Sequence, residues 1–151
     1  MRISYVCKIE KQEDDRFLVT FPDFEESITE GETLEEAIFN AEEVLTLTLE
    51  GRIDEDQDIP APKKSENVLP PFYEIYPSPR VQSALLIRFM RDHKSVSQLA
   101  RLLETSWPSA SRLENPHHWT TLRQLSKAAE VCGGKLVLSF QPNAFLRTQD
   151  L

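Results

Sequence analysis

Apolar and polar residues alternate from the start of the chain: Ile3, Tyr5, Cys7 and Ile9 fall on one side, Ser4, Lys8 and Glu10 on the other. A period of two predicts a half-buried strand over residues 2–10. Lys11-Gln12-Glu13-Asp14-Asp15 is a polar turn, and Phe17, Val19 and Phe21 resume the alternation, so a hairpin is expected. Pro22 and Asp23 break it, and Ser27-Ile28-Thr29 reads as a third short strand ending at Gly31. The period then changes. Leu34, Ala37, Ile38, Ala41, Leu45 and Leu49 recur at helical spacing and should lie on the sheet. Thr33 with Glu36 predicts a capping box, Glu32, Glu35 and Glu36 suit the positive end of the helix dipole, and Gly51 is the expected stop. Phe39 leaves the stripe and falls among Glu35, Glu36, Glu42 and Glu43. Two readings stand for it: an exposed partner contact, or a residue covered by a loop or a later strand.

From residue 81 the pattern is helical again. Val81, Ala84, Leu85, Ile87, Arg88 and Met90 form a mixed stripe closed by Asp92-His93-Lys94. Ser95 with Gln98 caps a second helix carrying Leu99, Ala100, Leu102 and Leu103. Glu104-Thr105 is a short turn, and Ser106 caps a third helix with Pro108 at an early position, where its missing N–H costs nothing. Ala110 and Leu113 face inward there, and Asn115-Pro116 ends it. A fourth helix runs from Thr120-Thr121 through Leu122, Leu125, Ala128, Ala129 and Val131 to Gly133-Gly134. Residues 135–140 (Lys-Leu-Val-Leu-Ser-Phe) read as a strand with no partner inside a helical bundle. Pairing with its own copy across a two-fold axis, or packing on the N-terminal sheet, would satisfy it.

Charge divides the 151-residue chain where the pattern does. Residues 1–66 carry 7 basic and 19 acidic side chains, net −12; residues 67–151 carry 10 and 6, net +4. Six of the ten prolines fall between Pro60 and Pro79. The expected organisation is therefore a first domain over 1–78, including a Pro-rich segment at 54–71, and a second over 79–151. Composition does not decide whether that segment is ordered or loose. No apolar run approaches the roughly 18 residues of a membrane span, and Met1-Arg2-Ile3-Ser4-Tyr5-Val6 lacks the pattern of a secretory signal. Cys7 and Cys132 are far apart and in no ligand spacing, as in a reduced cytoplasmic protein.

Candidate chemistry is sparse. Asp14-Asp15, Asp23-Phe24-Glu25-Glu26 and Asp54-Glu55-Asp56 are rich in carboxylates, but they sit in turns. A metal site needs ligands converging from rigid elements, and the first strand offers no carboxylate where an RNase H-type nuclease would carry one. Solvated charge that attracts a basic partner is the better reading. His117-His118 lacks a second ligand pair and reads as a polar loop. No metal, cofactor or catalytic residue is expected.

The order strand–strand–strand–helix, with Phe21-Pro22-Asp23-Phe24 and Ile28-Thr29-Glu30-Gly31-Glu32-Thr33-Leu34-Glu35-Glu36-Ala37, resembles the HicB antitoxin family. The resemblance covers about residues 1–76, with Phe72-Tyr73-Glu74-Ile75-Tyr76 fitting the family's closing strand. It implies a truncated RNase H-like β-β-β-α-β fold without a catalytic centre. Glu25-Glu26-Ser27 replaces the family's usual Pro-Gly-Cys after the turn.

In the second half, Gln98-Leu99-Ala100-Arg101-Leu102-Leu103 and Ser109-Ala110-Ser111-Arg112-Leu113-Glu114-Asn115 resemble the Xre, or phage-repressor-like, helix-turn-helix family over about residues 81–133. Ala100 suits a close crossing of the two helices. Glu104 stands where that family has Gly at a left-handed turn residue, and Pro116 replaces the Gly after the Asn. The resemblance places Trp107, Pro108, Ser109, Ser111 and Arg112 toward the major groove. Arg112 suits guanine O6 and N7; Trp107 and Pro108 either touch a thymine methyl or pack the helix start. Ser95, Ser106 and Ser109 suit phosphates, and Arg101, Arg88, Lys94 and Arg123 are read as solvated charge.

Taken together, the fold class is α+β: a HicB-like domain followed by an all-α helix-turn-helix domain with a C-terminal dimerising strand. The resemblances imply a non-enzymatic, cytoplasmic type II antitoxin. It would bind a small basic HicA-type ribonuclease toxin through Asp23, Phe24, Glu25 and Phe39, form a homodimer, and repress its operon on double-stranded operator DNA. The alternative is a ligand-responsive Xre-type transcriptional regulator without a toxin partner.

Overall fold

The structure, a computed structural model, describes residues 1–142; the remaining nine residues of the expected second domain lie outside it. Four antiparallel strands, β1 (Tyr5–Lys11), β2 (Phe17–Phe21), β3 (Phe24–Gly31) and β4 (Phe72–Ile75), form one sheet in the order β3-β2-β1-β4. The alternation becomes burial: Tyr5, Cys7, Ile9, Val19, Phe21, Phe24 and Ile75 face a helix, α1 (Leu34–Asp54), which returns Ala37, Ala41, Leu45 and Leu49. Small residues at two of those four positions let the helix lie close to the sheet. Gly31 marks the tightest approach, because a Cβ built there would lie 2.4 Å from the Ala37 backbone nitrogen. Ser27 is a buried polar residue of this layer, and its hydroxyl accepts from Thr48 at 3.0 Å.

Three local readings change. β3 begins at Phe24, three residues before the expected start, because a register shift at Thr20/Phe21 pairs Phe21 with Phe24 across the Pro22-Asp23 turn. Glu36 spans one residue more than a capping box: Thr33 Oγ1 accepts from the Glu36 N–H, but the Glu36 carboxylate accepts from the N–H of Glu32. Gly51 does not stop α1. The helix continues for three residues, because Ile53 packs against the core and Arg52 is anchored on Glu26 and the Asp58 carbonyl, and Asp56 then turns the chain at φ 51°.

The Pro-rich segment after α1 has no helix or strand, but it is pinned. The Tyr5 hydroxyl donates to the Pro60 carbonyl at 2.8 Å, Lys63 pairs with Asp23 at 2.8 Å, Ser65 donates to Glu74, and Ile59 packs against the sheet core.

The second half contains α2 (Pro79–Arg91), α3 (Val96–Leu102), α4 (Trp107–Arg112) and α5 (Leu122–Val131). The mixed stripe of α2 now has a cause, since the helix is buried on two sides. Val81 and Leu85 belong to the sheet core, while Ile87 joins Leu99, Leu113, Leu125 and Ala128 in a second core. The expected boundary at 78/79 therefore falls at the Ser78 cap of a helix that serves both cores. Between α3 and α4, Glu104 takes φ 54°, the left-handed conformation expected there, with the Glu104 and Thr105 N–H groups returning to the Arg101 and Ala100 carbonyls. α5 carries a second full capping box, Thr121 with Gln124. Leu102 and Leu122, read as stripe residues, are substantially exposed.

Among the described residues, 135–140 form no strand and pair with no sheet edge, and Val137, Leu138 and Phe140 are largely exposed. Among the described residues no helix is long and apolar enough to cross a membrane.

Candidate functional site

Two surfaces carry the predicted site residues. The first is acidic, on α1 and the β2–β3 turn. Phe39 is 59% exposed, so no loop or strand among the described residues covers it. Asp23 is tied to Lys63, and Glu25 is exposed on β3. Phe24 is a correction: it is 0% exposed, so it reaches no partner from this position. Its ring meets Tyr5 edge-on at 4.9 Å between centroids, with the Arg52 guanidinium 4.9 Å from its own centroid. Its acidic neighbours suggest exposure, but strand alternation after the Phe21–Phe24 pairing turns the ring inward.

Arg52, absent from the sequence reading, organises this end of the sheet. It donates to both Glu26 oxygens at 2.6 and 2.9 Å and holds that carboxyl below the usual carboxylate range. Burial and the Asp23 carboxylate push the Tyr5 hydroxyl well above its ordinary value, which keeps it protonated for its bond to Pro60. Burial also pushes the Cys7 thiol up to about 12. Neither group is suited to nucleophilic work.

The second surface is the α3–α4 pair. Ser95 and Ser106 are N-caps, accepting from the N–H groups of Gln98 and Ser109, and the Ser106 hydroxyl also donates to Ser109 Oγ at 2.9 Å. Trp107 is 54% exposed. Ser109 and Arg112 are exposed, Ser111 half-buried, and Arg112 has no ion-pair partner among the described residues. The six residues Ser95, Ser106, Trp107, Ser109, Ser111 and Arg112 thus lie on or flank two short consecutive helices. The pair is braced from behind by Arg91, whose Nε donates to Glu114 at 2.6 Å. His117, read as a loop residue, reaches across to Asp54 of α1 with 2.8 Å between Nε2 and Oδ2. Among the described residues no three His, Cys, Asp or Glu side chains gather as a metal site.

Residues 5–73 match the family described as the HicB-like antitoxin of bacterial toxin–antitoxin systems. Antitoxin HicB of Escherichia coli K12 is 30% identical over 122 residues, covering 81% of this chain and 88% of its own. Antitoxin HicB 2 of Photorhabdus laumondii is 29% identical over 136 residues, covering 90% and 95%. The crystal structure of the N-terminal domain of Burkholderia pseudomallei antitoxin HicB aligns over 42% of this chain and 74% of its own, at 24% identity and a TM-score of 0.38.

Proposed function

Since this chain belongs to the HicB antitoxin family, we propose that it is a type II antitoxin that inhibits a HicA-type ribonuclease toxin and represses its own operon from operator DNA. The observation that carries the reading is the relationship over nearly the whole chain, joined to the charge division: net −12 on the half that holds the family match, net +4 on the half that holds the paired short helices. An acidic surface speeds encounter with a basic partner, and a modestly basic helical surface suits DNA.

In this reading residues 1–78 are a truncated RNase H-like domain with no catalytic role, and residues 79–151 are an Xre-type helix-turn-helix domain, both acting in the cytoplasm. Asp23, Glu25 and Phe39 face the toxin, with Phe24 supporting them from the core. Arg112 reads a base, and Trp107 and Ser111 reach the groove beside it. Ser95, Ser106 and Ser109 hold phosphates.

The homodimer forms through residues 135–140. In support, Val137 and Leu138 stand exposed with Trp119 and Leu122 along an open apolar cleft of about 730 Å³, and Phe140 is exposed as well. Three residues of that cleft, Tyr76, Ser83 and Thr120, carry buried hydroxyls with no hydrogen-bond partner among the described residues. Peptide groups of a second copy would supply both the missing ladder and such partners.

The test is co-expression of the full chain with the HicA-type toxin encoded beside it. Growth rescue with a stable co-purifying complex is expected, and the complex or free chain should shift operator DNA. Growth arrest without rescue, or a toxin that does not co-purify, overturns the antitoxin reading.

A further inference from the structure

The carboxylates of the acidic half are not equivalent. On the sheet, three of them are answered within the chain: Glu10 by Lys8 at 2.8 Å, Glu26 by Arg52 of α1 at 2.6 Å and Glu30 by Arg16 at 2.7 Å. On the outer face of α1 they are not. Glu35, Glu36, Glu42 and Glu43 have no ion-pair partner among the described residues. Four uncompensated carboxylates are therefore grouped on one side of one helix, whereas others without an ion-pair partner among the described residues, such as Glu13, Asp14, Glu25 and Asp56, are scattered over turns and β3.

The same side carries apolar surface that a solvated helix does not need. Phe39 and Leu47 are 59% and 66% exposed. They lie eight residues apart, so they project about 12 Å apart along the axis and within about 80° around it. Below Leu47 an open cleft of about 590 Å³ separates α1 from the start of α2, with Tyr76, Pro77 and Pro79 on its far side. The cleft is rigidly framed. Thr46 Oγ1 accepts from the Ser78 N–H at 3.0 Å, and Arg80 closes one end on Glu50 at 2.8 Å. Burial at this cleft raises the Glu42 carboxyl above its ordinary value, with no neighbouring cation to oppose it.

We propose that the outer face of α1, from Phe39 to the cleft beside Leu47, is the docking surface for the basic toxin. The toxin seats arginine or lysine side chains against Glu42 and Glu43 and one apolar side chain between Leu47 and Pro79. This proposal rests on the antitoxin reading above and moves the main contact away from the β2–β3 turn. Charge decides between the faces. A cationic partner gains nothing from carboxylates already neutralised by Lys8, Arg16 and Arg52, and gains most from those left uncompensated. The apolar segment at 135–140 adjoins the basic half and does not attract the same partner. Aromatic residues in the centre of such a surface carry a large share of binding energy, which fits Phe39.

The experiment measures binding of the full-length chain to a catalytically inactive HicA-type toxin, by calorimetry at two salt concentrations. The charge reversal Glu42→Lys/Glu43→Lys and, separately, Phe39→Ser should each weaken binding at least about tenfold. The charge variant should also flatten the salt dependence. Ile28→Ser, on the opposite sheet face, should leave affinity unchanged. All these side chains are exposed, and thermal melts with unchanged midpoints confirm folding. Normal toxin affinity in both α1 variants overturns the docking face while leaving the antitoxin reading intact, as does loss confined to Ile28→Ser. A change in oligomeric mass with unaltered toxin affinity overturns the choice of occupant in favour of a second copy. A wild-type chain that fails to bind removes the reading itself.

Discussion

Gly31 precedes α1 and Gly51 lies within its last turn, and the same substitution should move stability in opposite directions at the two sites. At Gly31 an added Cβ lies 2.4 Å from the Ala37 nitrogen, 2.8 Å from its Cα and 2.9 Å from the Glu36 carbonyl carbon. All three are backbone atoms of the first helical turn, so nothing can rotate aside; the helix start must lift away from β3. Overpacking against a well-packed core costs about 1–3 kcal/mol and sometimes more, and a backbone obstacle belongs at the upper end, about 3 kcal/mol. At Gly51 a Cβ meets nothing within 4 Å. The residue lies inside the helix, where replacing Gly by Ala gains about 0.5–1 kcal/mol by reducing unfolded-state freedom. For a chain of this length, 1 kcal/mol corresponds to about 2–4 °C in Tm. Gly31→Ala should therefore melt about 6–12 °C lower and Gly51→Ala slightly higher, with urea unfolding at constant m-value confirming the free energies. If Gly51→Ala destabilises the chain, α1 ends at Gly51 in a left-handed cap and the extension to Asp54 is wrong. If Gly31→Ala is neutral, the close approach of helix and sheet is wrong.

Phe24→Ala should cost about 3–5 kcal/mol of stability, because it empties a fully buried site beneath Tyr5 and Arg52; a melt unchanged from wild type would place the ring on the surface instead. Glu104→Gly should stabilise by roughly 0.5–1 kcal/mol in urea titration, since it removes the strain of a side chain at φ 54° and loses part of that gain to unfolded-state entropy. Arg52→Met should destabilise, and the gap to wild type should narrow in acid melts. Glu26 is held low by Arg52, so its contribution is present above the unfolded value of about 4.3 and lost as pH falls through the depressed folded value. Because the pair is half open to solvent, that part is a few tenths of a kcal/mol.

The sheet and α1 were legible because each buries one face, and a one-sided element writes its period plainly: two in Ile3-Tyr5-Cys7-Ile9, near 3.6 in Ala37-Ala41-Leu45. α2 was legible as a helix but not as a shared wall, since burial on both sides blurs a stripe into a mixed pattern. Gly51 misled because sequence shows a residue that permits a turn, not whether the side chains beyond it, Arg52 and Ile53, have anything to hold. Phe24 misled for a related reason: a register shift decides which way a ring between acidic residues points. The serine caps and the left-handed Glu104 were readable because their causes are local in sequence. Arg52–Glu26, Arg91–Glu114 and His117–Asp54 join residues 23 to 63 positions apart, and no local pattern announces them.

The two faces of α2 also decide how the halves relate. A Pro-rich boundary suggests a spacer with independent domains on either side, yet Val81 and Leu85 belong to the sheet core while Ile87, two residues on, belongs to the helical core. Separating the halves would expose one of these faces to water, at a cost of about 1.5–3 kcal/mol for each large side chain. The polar ties along the same seam, Arg80 to Glu50 and His117 to Asp54, are partly exposed and each worth less than about 1 kcal/mol. They set the angle; the apolar sharing of α2 supplies the attachment. The α3–α4 pair is thus carried on the same frame as α1. If the proposed reading holds, a partner on the outer face of α1 would act on DNA binding through its own bulk and charge held at a fixed position, and not by loosening or tightening a linker.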